Sequence, residues 1–373
     1  MTTKPPAAVG DSIADIDTPA LVVDLDVMET NLRLMAEKVA RAGKALRPHA
    51  KAHKCAEIAA IQLHHGAVGV CCQKVSEAEV LMARGIRDIL VTNEIIASSK
   101  LDRLARLARQ GTVAACVDST TGIEALSSAA AQQNVTIRVL VEINVGQERC
   151  GVEPGAPAVE LARAVVKAPN LAFDGLQAYH GKSQHFRTAA ERQASSAAVA
   201  EKIKHTIALL REAGITCSTV SGGGTGSCND DFHHDAITEI QAGSYIFMDA
   251  DYADNRETGD AKQGFRQSLF VKAGVISNPS ADRIVIDAGL KALSTDSGMP
   301  RLRDHPDLVY GRGGDEHGIL IAPRIGERIK LGAAVWLVPS HCDTTLNLYD
   351  WIVAIRGNTV ANVWELAGRG AVT

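Results

Sequence analysis

Short apolar runs alternate with longer amphipathic stretches over the first two-thirds of the chain. The runs cover residues 20–25, 45–50, 67–72, 88–93, 112–117, 136–145, 171–181 and 218–223. Most are rich in Val and Ile with little polar alternation, which predicts strands buried on both faces. Residues 27–41, 76–84, 98–109 and 187–213 carry apolar positions at helical spacing. Gly43, Gly85, Gly111 and Gly214 follow helical segments and suit C-terminal caps. Eight strands alternating with helices over roughly 230 residues fit a (β/α)8 TIM-like barrel by length. A doubly wound open sheet is the competing arrangement.

The rhythm changes near Gln263. Runs at 267–277, 283–287, 318–321, 334–339, 351–356 and 359–366 are short, strand-like and separated by turn residues. No long helical pattern lies between them, so this part predicts a mainly β domain. The expected fold class is therefore α/β, with a barrel over 17–262, a C-terminal mainly β domain over 263–373 and an N-terminal extension over 1–16.

Composition removes several function classes. The 373 residues allow about two to two and a half domains at roughly 150 residues each. Hydrophobic residues are 46% and charged residues 22%, which excludes a disordered, collagen-like or coiled-coil chain. No stretch approaches ~18 uninterrupted apolar residues, so no membrane span is expected. The first residues include Pro5, Pro6, Asp11 and Asp15 rather than the apolar centre of a secretory signal. A net charge of −4 without a basic run argues against nucleic acid or an anionic membrane as partner. The eight Cys are scattered with no paired zinc spacing, so reduced thiols in the cytoplasm are the expectation.

In a barrel, polar residues at the C-terminal ends of strands line the active site. The second run leads into Arg47-Pro48-His49-Ala50-Lys51-Ala52-His53-Lys54. Partial desolvation and neighbouring cations at a barrel mouth lower a lysine's pKa and free its amine for Schiff-base chemistry. A solvated loop with ordinary lysines is the alternative. The eighth run leads into Gly222, Gly223, Gly224, Thr225 and Gly226, where backbone N–H groups can approach an anion closely. Gly243, Ser244 and Tyr245 can complete that site. The loop lacks a Walker lysine and a dinucleotide fingerprint, and a plain glycine-rich turn competes with phosphate binding. Arg149 can hold an anionic oxygen, Tyr179 can stack on a flat ligand, and His185 can act as a general base near neutral pH. In the β domain, His341 and Asp343 stand two apart, which on an extended segment puts imidazole and carboxylate on one face. That makes half a divalent-metal site, with a polar turn as the alternative.

Taken together, RPHAKAHK, CCQKVSEAE, GQERCGV, QAYHG, SGGGTGS, QAGSYIFMDADY, DAGLK, DEHG and PSHCD resemble the D-threonine aldolase family. This is a branch of the alanine-racemase-like, fold type III pyridoxal-phosphate enzymes. The resemblance runs from about Asp17 to Arg369. It implies a homodimeric lyase that splits a D-3-hydroxy amino acid of the D-threonine type into glycine and an aldehyde. It also implies that Lys51 carries pyridoxal 5'-phosphate as a Schiff base and that Arg149 contacts the cofactor's phenolic oxygen. Tyr179 then lies at the cofactor, and Gly222, Gly223, Gly224, Thr225, Gly226, Gly243, Ser244 and Tyr245 bind its phosphate. His341 and Asp343 are implied to bind a divalent metal, and His185 to be the base.

Related D-serine dehydratases carry His-x-Cys at the metal, whereas this chain has Asp343 at the third position and Cys342 between the ligands, pointing away if the segment is extended. An oxygen ligand favours Mn²⁺ or Mg²⁺, with Zn²⁺ and Co²⁺ as alternatives, and moves the expectation towards an aldolase. A 3-hydroxy-D-aspartate aldolase giving glycine and glyoxylate, a D-serine or 3-hydroxyaspartate dehydratase, and a non-catalytic pyridoxal-phosphate carrier are the rival functions.

Overall fold

A computed structural model describes residues 4–256 and 264–373. These form two compact units. One contains the described residues of 4–34, 244–254 and 264–370; the other contains 35–243, 255–256 and 371–373. The expected boundary between 262 and 263 lies outside the described residues.

The first strand, β1 (Ala20–Asp24), lies in the first unit. The second unit holds the next eight: β2 (Ala45–Leu46), β3 (Val70–Cys72), β4 (Asp88–Glu94), β5 (Thr112–Val117), β6 (Ile137–Glu142), β7 (Leu171–Ala178), β8 (Thr219–Gly222) and β9 (Glu239–Ile240). All their pairings are parallel, in the order β2-β9-β8-β7-β6-β5-β4-β3. A bridge between His49 and Cys71 joins the two ends of the ladder. The N–H groups of Val68 and Cys71 support it, donating to Leu46 and Pro48 carbonyls at 2.9 Å each. This is the expected TIM-like barrel. Its interior packs small residues, including Cys71, Ala114 and Cys116 with Leu90 and Leu140.

The helix Ala189–Glu212 starts where the residues demand it. Thr188 accepts from the Glu191 N–H (3.3 Å), and the Glu191 carboxylate accepts from the Thr188 N–H (3.0 Å). That capping box satisfies two otherwise unpaired donors and ends the segment carrying His185. Gly43, Gly85 and Gly214 take the left-handed conformation expected of caps, whereas Gly111 does not. A Cβ on Gly111 would instead lie 2.4 Å from the Arg87 carbonyl.

In the first unit, β10 (Leu269–Ser280), β11 (Arg283–Ile286), β12 (Arg301–Leu302), β13 (Val309–Arg312), β14 (Gly318–Ile321), β15 (Ala334–Val338), β16 (Trp351–Arg356) and β17 (Thr359–Glu365) join β1 in a nine-stranded sheet. β1 sits between β10 (antiparallel) and β16 (parallel). The reading of residues 20–25 as a barrel strand is thus corrected, and β9 takes the vacant place. The apolar pattern of β1 records burial on both faces, which a central sheet strand and a barrel strand share. The residues before it are tied to β10: Lys272 Nζ donates to the carbonyls of Ile13 (2.8 Å), Ala14 (3.2 Å) and Ile16 (2.7 Å). Ile16 joins the core with Val22, Phe270, Trp336 and Val353.

Candidate active site

Of the run 45–50, only Ala45 and Leu46 are strand; the chain then winds through a 3-10 turn, Ala50–Ala52, that carries Lys51. His49 caps this turn with a buried ring. Its Nδ1 accepts from the Lys51 N–H (3.4 Å) and its Nε2 lies 3.0 Å from Thr92 Oγ1. Lys54 is committed elsewhere: its Nζ lies 2.8 Å from Oε1 of buried Glu77.

Arg149 and Tyr179 meet, with the guanidinium carbon 5.8 Å from the ring centroid, within cation–π range. Arg149 is also 3.9 Å from Oε1 of Glu142, at the end of β6. Burial, reinforced by Glu94 and opposed by Arg149, pushes the Glu142 carboxyl up to about 8. Ligand atoms of Glu94, Asp118 and Cys150 lie within 4.8 Å of one another nearby. This acidic group draws on several strand ends, and no local motif announces it.

The glycine loop is fastened by Gln184, the neighbour of His185 in the sequence. Gln184, on the 3-10 turn Lys182–His185, accepts the Gly226 N–H at Oε1 (2.9 Å) and donates from Nε2 to Ser227 Oγ (2.8 Å). A Cβ on Gly224 would lie 2.5 Å from Gln184 Oε1, and one on Gly226 would lie 2.3 Å from the Gln184 carbonyl. Both positions thus stay glycine for close approach. Gly223, after β8, takes φ +69°. Between Gly224 and Gly226, the buried Thr225 Oγ1 has no hydrogen-bond partner among the described residues. Buried hydroxyls nearly always have one, so an anion received here fits the loop. His185 is exposed at the end of the same turn, and Gly243 packs against the His49 carbonyl, 2.6 Å from where its Cβ would be.

The remaining expected site residues lie in the other compact unit. Ser244 Oγ donates to Asp343 Oδ1 (3.2 Å). Tyr245 is fully buried with its ring 5.4 Å from that of Phe265. The segment 341–343 is not extended, contrary to expectation: His341 caps the helix Cys342–Leu346, and Asp343 lies in its first turn. The i, i+2 argument therefore fails, and Cys342 does not point away, since its Sγ lies 3.4 Å from Asp343 Oδ1.

What orients His341 is Asp296, whose Oδ2 is 2.7 Å from Nδ1. Burial pulls the His341 imidazole pKa down, but Asp343, Asp296 and Asp249 more than offset this and raise it. Burial alone would raise the Asp296 carboxyl; bonds from His341, Ser294 and Thr344 hold it below the ordinary value. A carboxylate on one ring nitrogen leaves the other nitrogen for a metal, the usual arrangement around ligating histidines. With the Asp343 carboxylate, this nitrogen and oxygen donor set fits a divalent ion. Asp296 is 45 residues upstream of His341, and only folding brings them together.

Residues 23–251 match the alanine racemase N-terminal domain family and residues 268–355 the serine dehydratase domain. The chain is 46% identical to D-threonine aldolase of Arthrobacter sp over 98% of its length and 96% of the relative's. It belongs to the D-threonine aldolase family. A solved D-threonine aldolase from Filomicrobium marinum superposes with a TM-score of 0.97 at 47% identity, covering 99% of this chain and 100% of that one. A 3-hydroxy-D-aspartate aldolase of Paracoccus denitrificans (strain Pd 1222) is 41% identical over 98% of this chain and 95% of its own. As a member of the D-threonine aldolase family, the protein is a carbon–carbon lyase acting on D-3-hydroxy amino acids. No helix among the described residues is long and apolar enough to cross a membrane.

Proposed function

We propose that this protein cleaves D-threonine-type substrates into glycine and an aldehyde, using pyridoxal phosphate on Lys51 and a divalent ion on His341 and Asp343. The observation that carries the aldolase reading is the 46% identity to D-threonine aldolase over 98% of the chain; the Asp296–His341 bond, with Asp343 two residues on, supports this pair as the place for the ion. Pyridoxal phosphate supplies an electron sink for negative charge at Cα when bound, and a divalent ion supplies charge that acidifies a hydroxyl. The chain's own groups do the rest. Arg149 and Tyr179 hold and orient the flat ring, and Thr225 with the glycine loop receives the phosphate. His185 takes the proton from the substrate's β-hydroxyl, so that the Cα–Cβ bond breaks instead of Cα–H.

Product analysis tests the reaction type. D-threonine should give glycine plus acetaldehyde, with little 2-oxobutanoate or ammonia. His185→Asn should slow that cleavage by roughly 10²-fold or more, the scale of losing a general base. Dominance of the 2-oxo acid would make the protein a dehydratase. The Paracoccus relative favours a second reading: faster release of glycine and glyoxylate from 3-hydroxy-D-aspartate than of glycine from D-threonine would select it.

The loop has its own test. Gly224→Asp adds a Cβ that would lie 2.5 Å from Gln184 Oε1, which displaces the amide fastening the loop, and also adds a negative charge to the loop. The variant should need much more added pyridoxal phosphate for full occupancy while its KM for substrate changes little. Full occupancy at low added cofactor would remove the loop from the phosphate site.

A further inference from the structure

Gln184 has no part in the proposed chemistry, yet its side chain is 1% exposed and both ends of its amide are occupied. Oε1 accepts the N–H groups of Gly226 (2.9 Å) and Ser227 (3.3 Å). Nε2 donates to Ser227 Oγ (2.8 Å) and to the His180 carbonyl (3.2 Å). Two backbone donors need the oxygen, so the amide has one orientation. The Gln184 carbonyl in turn accepts from Asn255 Nδ2 (2.9 Å). Ser227 is also held from its far side. Its Oγ donates to Asp231 Oδ2 (2.6 Å), and Asp231 Oδ1 accepts from Ser196 Oγ (2.6 Å) on the helix Ala189–Glu212. The Thr225 hydroxyl, which has no hydrogen-bond partner among the described residues, lies in the loop that Gln184 grips, and His185 is the next residue along the chain.

We propose that Gln184 is a positioning residue that locks the 224–227 loop and the turn carrying His185 into one unit, so that holding a phosphate and presenting the imidazole depend on one side chain. This rests on the reading of the loop as the phosphate site and of His185 as the base. A side chain that served packing alone would leave phosphate discrimination untouched.

The test compares pyridoxal phosphate with pyridoxal, which lacks the phosphate, as ligands of the full-length chain stripped of cofactor. Gln184→Met keeps the size and removes every side-chain hydrogen bond. It should bind pyridoxal phosphate about tenfold or more weakly, the scale of losing one or two such bonds, and bind pyridoxal as the wild type does. Reconstituted at saturating cofactor, it should show a lowered kcat with little change in KM. Combined with His185→Asn, it should add little further loss, because coupled residues are non-additive. Ser227→Ala removes one of the same bonds and should shift the ligand ratio in the same direction by less, which keeps the test usable if Gln184→Met folds poorly. A wild-type ligand ratio in both variants, or kcat losses that multiply in the double variant, would overturn the proposal alone. A wild-type protein that does not prefer pyridoxal phosphate over pyridoxal would overturn the reading of the loop, and the proposal with it.

Discussion

Borohydride reduction of the yellow holoprotein should fix the cofactor on a peptide at Lys51, and Lys51→Ala should lose both the visible band and detectable turnover. Lys51 stands on the turn that follows β2, capped by the buried His49 ring. The rival lysine three positions on is engaged otherwise. Lys54 is paired with Glu77 at 2.8 Å, and both side chains are nearly buried (12% and 5% exposed). Removing one partner of such a pair leaves an uncompensated charge at a cost of about 3–5 kcal/mol. Lys54→Ala should therefore lower the unfolding midpoint and leave the trapping site at Lys51. Trapping on Lys54 or Lys74 would refute the assignment.

The second large effect concerns the metal. A His341→Ala, Asp343→Ala double variant should lose cleavage while keeping the absorbance of the bound cofactor. EDTA should do the same to the wild type, and Mn²⁺ or another divalent ion should restore turnover. Asp296 offers a graded check. It holds the His341 ring by Nδ1, which leaves the other nitrogen for the proposed ion, and losing such a partner typically weakens metal binding by about 10–100-fold. Asp296→Ala should thus be rescued at raised Mn²⁺ in a reactivation titration, whereas the double variant should not. Undiminished activity in the double variant would exclude a catalytic metal at these residues.

The barrel-plus-β architecture and the family are legible in the amino-acid sequence. Val- and Ile-rich runs at regular spacing record burial on both faces, and strand-end motifs such as RPHAKAHK and SGGGTGS carry the likeness to the family. Which sheet each buried run joins depends on the neighbours it meets in the folded chain. β1 has the apolar pattern of a barrel strand yet pairs with β10 and β16, because periodicity reports how buried a strand is and not what lies beside it. β9 is only Glu239 and Ile240, too short to carry a period, and its place comes from pairing with β2 and β8. The same limit applies at the site. Lys51, the glycine loop and the His341/Asp343 pair stand in recognisable strings, whereas the groups that orient them do not. Asp296 meets His341 across 45 positions, and Gln184 grips Gly226 across 42. A hydrogen bond between distant segments leaves no mark on either one until the chain has folded.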